Sequence, residues 1–280
     1  MHRLLAHFAR RYIAGENIDD AISVARELNN HGILASIDNL GEMVTDPEHA
    51  RAGAAEYTRL LETINEKGIN ANVSLKLTHM GLEIGDDVCR ENLERVITKA
   101  REVGNFVWFD MEGSRYTERT IGIFIDLHRR YGNTGIAIQS ALRRSEGDVA
   151  CLIEEGARVR LVKGAYKEPP AIAFPEKKEV DGNFERLMVE LLMKGNEPAI
   201  ATHDMTLVEK ALQITRREKI STEHFEFQML LGIKRGVQKR LADEGYRMRV
   251  YVPYGAAWLP YTMRRLRERR ENILFILRNL

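Results

Sequence analysis

The chain has 280 residues, with Lys plus Arg at 42 and Asp plus Glu at 41, for a formal charge of +1. That balance excludes a protein that grips nucleic acid through a global positive field. A content of 44% hydrophobic and 30% charged residues excludes a disordered chain and leaves a globular fold.

The opening, MHRLLAHFARRYIAGENIDDA, is interrupted by His7, Arg10 and Arg11 and lacks a small-residue cleavage site, so it predicts a helix rather than a signal peptide. Residues 1–30 are expected to form an N-terminal helical extension over the flank or bottom of one catalytic domain, residues 31–280. From there short apolar runs alternate with helical periodicities. Strands are predicted at 32–38, 71–77, 106–110, 135–139, 157–164, 198–202, 223–228 and 247–252. Between and after them, helices are predicted at 49–67, 88–103, 117–131, 145–155, 183–194, 205–217, 235–244 and 257–270. The stretch 167–180 holds Pro169, Pro170 and Pro175 and reads as an irregular loop. The last ten residues, ENILFILRNL, are apolar but far short of the roughly 20 needed to span a bilayer, and read as a C-terminal helix or docking segment. Only Cys89 and Cys151 are present, which fits a reducing, cytoplasmic setting.

Eight strand–helix units in a chain of this length match a (β/α)₈ barrel of the TIM type, whose domains run to about 250 residues. A doubly wound sheet is the competitor, but no G-x-G-x-x-G turn occurs to nucleate one. In such a barrel the chemistry gathers at the carboxyl ends of the strands. Buried strands should be apolar there, so polar residues at those ends need a reason. Lys76, Asp110, Gln139, Arg160 with Lys163 and Tyr166, Thr202 with His203 and Asp204, Glu226 with Gln228, and Tyr251 with Tyr254 all sit at or near predicted strand ends. Tyr261, Arg264 and Arg265 follow on the last helix. Each has a plainer reading alone: Lys76 and Asp110 as a structural ion pair, Arg160 pointing outward with Arg158, and Arg264 and Arg265 on a solvated helix face. Together the excess is cationic and hydrogen-bonding, which suits an anionic cofactor with a carboxylate substrate. No HExxH or paired-histidine spacing supports a metal, and no G-x-S-x-G supports a serine nucleophile.

Six blocks carry a resemblance: SLKLTHMGL (74–82), DMEGSRYT (110–117), RLVKGAYKEP (160–169), ATHD (201–204), FEFQMLLGI (225–233) and VYVPYGAAWLPYTMRRLRER (250–269). In order and spacing, over about residues 30–275, they resemble the successive signatures of proline dehydrogenase, in its short monofunctional bacterial form. The resemblance implies an FAD-dependent enzyme on a distorted barrel. Such an enzyme oxidises L-proline to Δ1-pyrroline-5-carboxylate, the first step of proline catabolism, and passes electrons to a membrane quinone. It implies flavin contacts from Met111, Gln139, Arg160, Lys163, Gly164, Ala165, Thr202 and His203, and substrate contacts from Lys76, Arg264 and Arg265. Asp110 and Tyr166 match catalytic positions; Leu230, Tyr251 and Tyr261 match the wall of the proline pocket. Glu42, in IDNLGE, matches a gate carboxylate that pairs with Arg264. The cations would hold the carboxylate and disfavour the protonated amine, and peripheral membrane contact would serve the quinone. Two other readings stay open: a cofactor-free lyase or aldolase using Lys76 or Lys163 as a Schiff-base amine, and a barrel that only binds a small acid.

Overall fold

Eight parallel strands close on themselves in chain order: β1 (Leu34–Asn39), β2 (Ala71–Lys76), β3 (Val107–Asp110), β4 (Thr134–Gln139), β5 (Arg158–Val162), β6 (Ala199–Ala201), β7 (Glu226–Leu230) and β8 (Met248–Tyr254). Closure is made by β1 against β8, from Leu34 opposite Arg249 to Asn39 opposite Tyr254. This is the (β/α)₈ barrel that the alternation predicts. The computed structural model describes residues 11–259 and residue 261. Arg264, Arg265, most of the predicted 257–270 helix, residues 1–10 and the ENILFILRNL segment therefore lie outside the described residues.

The helices are α1 (Ile18–Asn29), α2 (Pro47–Glu66), α3 (Asp86–Glu102), α4 (Ser114–Tyr131), α5 (Ser145–Glu154), α6 (Lys177–Lys194), α7 (Met205–Arg217) and α8 (Arg235–Asp243). Local chemistry starts and stops them. Asn17 and Asp20 form a reciprocal capping box on α1. Asp46 caps α2, with Pro47 in its first turn, and Asp204 caps α7. Gly132, at φ 77°, ends α4 in the left-handed conformation. Helix α1 precedes β1 yet packs against β8 and β1. It covers the seam where the barrel closes, burying Ala21, Ile22 and Ala25.

One expectation is corrected. The irregular stretch ends earlier than 180, because α6 starts at Lys177. Glu176 and Glu179 make a capping box just after Pro175. The charges of this first turn face outward and hide the helical period. Within the preceding loop, Ala173 bridges to Leu142.

Period-two alternation divides each strand between two surroundings. Ile37, Val73, Leu75, Phe109, Ile138, Leu161, Ile200, Phe227, Val250 and Val252 are fully buried against the helices in one apolar shell. Their neighbours Asp38, Ser74, Lys76, Asp110, Arg160 and Tyr251 occupy the barrel's interior and bond to one another there, while Glu226 bonds to Gln228 and Arg249. The shell stabilises the barrel, at about 25 cal/mol per Å² of apolar surface removed from water. The lumen is where polarity collects.

Candidate functional site

A cavity of about 470 Å³ opens at the carboxyl ends of the strands. Its wall takes in Lys76, Asp110, Met111, Gln139, Arg160, Lys163, Gly164, Ala165, Tyr166, Thr202, His203, Leu230, Tyr251 and Tyr261. Glu42 does not line it; that residue is half-buried in the turn after β1. The structure thus brings together residues from β2 through β8 that the sequence scatters over nearly two hundred positions.

The floor is a closed network of charges. Lys76 Nζ donates to Asp38 Oδ2 at 2.8 Å and lies 3.9 Å from Asp110 Oδ2. The Tyr251 hydroxyl sits 2.6 Å from that same Asp38 oxygen and 2.7 Å from Asp110 Oδ2. A phenol carries one proton, so it donates to one of these carboxylates at a time. Arg160 Nη1 donates to Asp110 Oδ1 at 2.6 Å and to Ser74 Oγ at 2.8 Å, while Nη2 reaches Ser36 Oγ at 3.2 Å. The guanidinium also lies 4.5 Å from the centre of the Trp108 ring. Arg160 Nε, equally buried, has no protein partner. The plainer readings of these residues resolve here. Lys76 pairs more closely with Asp38 than with Asp110, and Arg158 and Arg160 do share a face, but it is the lumen.

Burial works against the charge on Lys76, yet Asp38 first and then Asp110 outweigh it and hold its pKa above the ordinary value. Burial pushes Arg160 down and Asp110 opposes it; an arginine keeps its charge regardless. Burial, reinforced by Asp110 and Asp38, raises Tyr251 well above a free phenol, so it stays protonated. Lower in the barrel Glu226 accepts from Arg249 at 2.8 and 3.1 Å. Burial would raise its carboxyl, but Arg249 holds it below the usual range.

The rim is built from the loops. Lys163 donates to Asp181 at 2.5 Å and to Asp204 at 2.7 Å, tying β5 to α6 and α7. The Leu230 N–H donates to His203 Nε2 at 2.9 Å, which leaves Nδ1 as the donor of a neutral ring. Gln139 Nε2 donates to the Glu112 carbonyl at 2.7 Å. Its other amide atom faces Gly164, where a Cβ would stand 2.9 Å from Gln139 Oε1. Gly164 also has φ +109°, which side chains rarely adopt.

Asp38 is the residue that sequence reasoning missed. It stands one residue before the end of β1, at the carboxyl end of the strand as Asp110 is of β3, and the test applied to the other strands would have selected it. The adjoining Asn39 and Gly41 make it look like turn punctuation instead. Ser36 and Ser74 were missed as well, because small hydroxyls are unremarkable in a strand until their inward register is known. Among the described residues no group of three or more His, Cys, Asp or Glu side chains is placed to hold a metal ion.

Comparison with known proteins gives a consistent result. The family model "Proline dehydrogenase" matches residues 21–278. "Proline dehydrogenase 1" of Bacillus subtilis (strain 168) is 39% identical over 272 residues, covering 97% of this chain and 90% of that protein. "Proline dehydrogenase" of Deinococcus radiodurans is 39% identical over 279 residues, covering 98% and 90%. Among solved structures, proline utilization A (PutA) from Bdellovibrio bacteriovorus, inactivated by N-propargylglycine, superposes with a TM-score of 0.87 at 27% identity. The match covers 93% of this chain and 32% of that one, so the chain spans about a third of the larger protein's length.

Proposed function

The chain belongs to the proline dehydrogenase family, and on that premise we propose that it oxidises L-proline to Δ1-pyrroline-5-carboxylate with FAD bound in the barrel mouth, electrons passing on to a membrane quinone. The observation that carries this reading is the cavity floor: two buried cations, Lys76 and Arg160, fixed by carboxylates and facing one space.

The residues present fit a flavin. Gly164, having no Cβ, lets the Gln139 amide pack tightly against its backbone, and both residues sit on the cavity wall. Arg160 Nε is a buried donor without a protein partner, in a site that would offer it a ring heteroatom. We assign flavin contacts to Met111, Gln139, Arg160, Lys163, Gly164, Ala165, Thr202 and His203, all on the wall of the cavity. When bound, the flavin supplies the two-electron sink for the hydride that leaves the carbon beside the amine.

The remaining work belongs to the chain. Lys76, with Arg264 and Arg265 from the segment outside the described residues, would hold the substrate carboxylate by charge-assisted hydrogen bonds. Leu230, Tyr251 and Tyr261 would shape the pocket around the ring, and Asp110 and Tyr166 would face the reacting end. Glu42 would close the mouth by pairing with Arg264. The amine must be neutral to release hydride. Lys76 and Arg160 are balanced by Asp38 and Asp110, so the positive excess that disfavours an ammonium would come from Arg264 and Arg265. Among the described residues no helix is long and apolar enough to cross a membrane. We picture the protein working from the cytoplasm and meeting quinone at the membrane face by transient, peripheral contact.

The Schiff-base alternative is disfavoured by geometry. A nucleophilic amine must lose its proton, whereas each lysine donates to a carboxylate in an ion pair and has a second carboxylate within 4.0 Å. An anaerobic visible spectrum tests the proposal: the purified protein should be yellow and should bleach with L-proline. A colourless protein that takes up no FAD, or a flavin that proline leaves oxidised, would overturn it.

A further inference from the structure

Asp38 is fully buried and reaches both Lys76 and Tyr251 from the β1 side. It is in turn fixed by the Tyr57 hydroxyl, 3.0 Å from Oδ1, on a helix packed outside the barrel. The same hydroxyl lies 2.8 Å from the Ser74 carbonyl, so its single proton serves one of these two acceptors at a time, and it accepts from the Asn39 N–H at 3.1 Å; the ends of β1 and β2 thus meet at one point. An ammonium has three donors. Asp38 takes one, and the Tyr251 hydroxyl stands 3.5 Å away at the edge of a second. The remaining capacity faces a space suited to a carboxylate.

We propose that Asp38 is a positioning residue: it holds the Lys76 ammonium and the Tyr251 hydroxyl in register at the cavity floor, and is the counter-charge that keeps Lys76 cationic and ready for a substrate carboxylate. Asp38 does not itself line the cavity; it acts through Lys76 and Tyr251, which do. The inference deepens the reading of the site given above and rests on it for the identity of the substrate.

The charge logic follows from what faces Lys76. Asp38 comes from β1, Asp110 and Glu112 from the end of β3, Tyr251 from β8, and His79 from the turn after Lys76 itself. Asp110 is 3.9 Å away and already engaged by Arg160. Glu112 is bonded to the Thr78 N–H and hydroxyl, and His79 is held neutral by burial. Lys76 is 7% exposed. Without Asp38, burial dominates and the ammonium loses its proton more easily.

The test replaces Asp38 by Asn, which keeps the size and removes the charge. The FAD-loaded protein is followed by ¹⁵N NMR of the lysine Nζ groups, with Lys76 assigned by Lys76→Arg, and by proline kinetics against pH. In the wild type Lys76 Nζ should stay protonated past about pH 10, the range of a free lysine. In Asp38→Asn its titration should move at least one pH unit acidward, and kcat/KM should fall tenfold or more on its alkaline limb, through KM more than kcat. A Lys76 titration unmoved by the substitution would overturn the proposal. If the wild type does not oxidise proline, the proposed reaction fails while the NMR readout still decides the role of Asp38. If Asp38→Asn does not fold, Tyr57→Phe removes the donor beside Asp38 Oδ1 without changing charge; the Lys76 resonance should move from its wild-type position, and an unchanged resonance would count against the proposal.

Discussion

A charge taken out of water is tolerable only beside its opposite, and Arg160 shows how strict that condition is. It is 3% exposed, and its guanidinium is spent on Asp110, Ser74, Ser36 and the face of Trp108. Arg160→Met should destabilise the protein by about 3 kcal/mol in urea unfolding, because Asp110 loses its closest counter-charge and keeps only Lys76 at 3.9 Å with the Ser74 and Tyr251 hydroxyls. Adding Asp110→Asn should return part of that loss, and the non-additivity of the cycle measures the coupling. If Arg160→Met unfolds at the wild-type denaturant midpoint, the pair is not what holds the floor together. Lys76, Asp110 and Arg160 are legible in the sequence for this same reason: a charged residue inside an apolar strand has to be explained. Asp38 is not, since a carboxylate followed by Asn and Gly has a cheaper explanation as a turn.

At the scale of elements, strands were easier to read than the loops that arm them. A strand buried on its helix side must be apolar at alternate positions, so each leaves a compact signature. Glu226, Gln228, Arg249 and Tyr251 show the other half of the pattern, polar residues at the intervening positions that only make sense facing a lumen. The start of α6 was hidden because Lys177, Lys178 and Glu179 lie on its solvent side. That start matters, since Asp181 one turn later meets Lys163 from β5, and Lys163 also meets Asp204, the N-cap of α7. Lys177 closes the group by reaching Asp181. Asp204→Ala removes both the cap, a bond from the Thr206 N–H at 3.1 Å, and the ion pair. Loss of the cap alone should cost about 1 kcal/mol at neutral pH. The Lys163 hydrogen bond lowers the Asp204 pKa from 3.8 to about 2, against a smaller opposing effect of burial. A depressed carboxylate pKa adds stability above the unfolded value, and that stability is lost as pH falls through the folded one. The gap between wild type and Asp204→Ala should therefore be constant at neutral pH and narrow between 3.8 and about 2. Urea melts at stepped pH measure it; a gap that widens on acidification would contradict the assignment.

Over the whole molecule, the cavity exists only when the barrel is closed. Its wall draws on β2 through β8, and its floor on β1 through Asp38, whose strand is sealed to β8 under α1. A ligand seated there binds the folded chain and not the unfolded one, and so stabilises it by mass action. At a hundredfold excess over Kd the gain is about 2.7 kcal/mol, and for a large domain each kcal/mol moves Tm by roughly 2–4 °C. FAD added to protein stripped of flavin should therefore raise Tm by several degrees. Gly164→Val is the discriminating variant. Its Cβ would stand 2.9 Å from Gln139 Oε1 and 3.2 Å from the Ala141 Cβ, on a backbone that glycine alone adopts easily, so Gln139 on the cavity wall is pushed aside and the loop is strained. The variant should fold with a somewhat lower Tm of its own and show little or no further rise with FAD. A full FAD-dependent rise in Gly164→Val would mean that the flavin approaches the barrel elsewhere, and that the bare backbone after β5 serves the loop rather than the ligand.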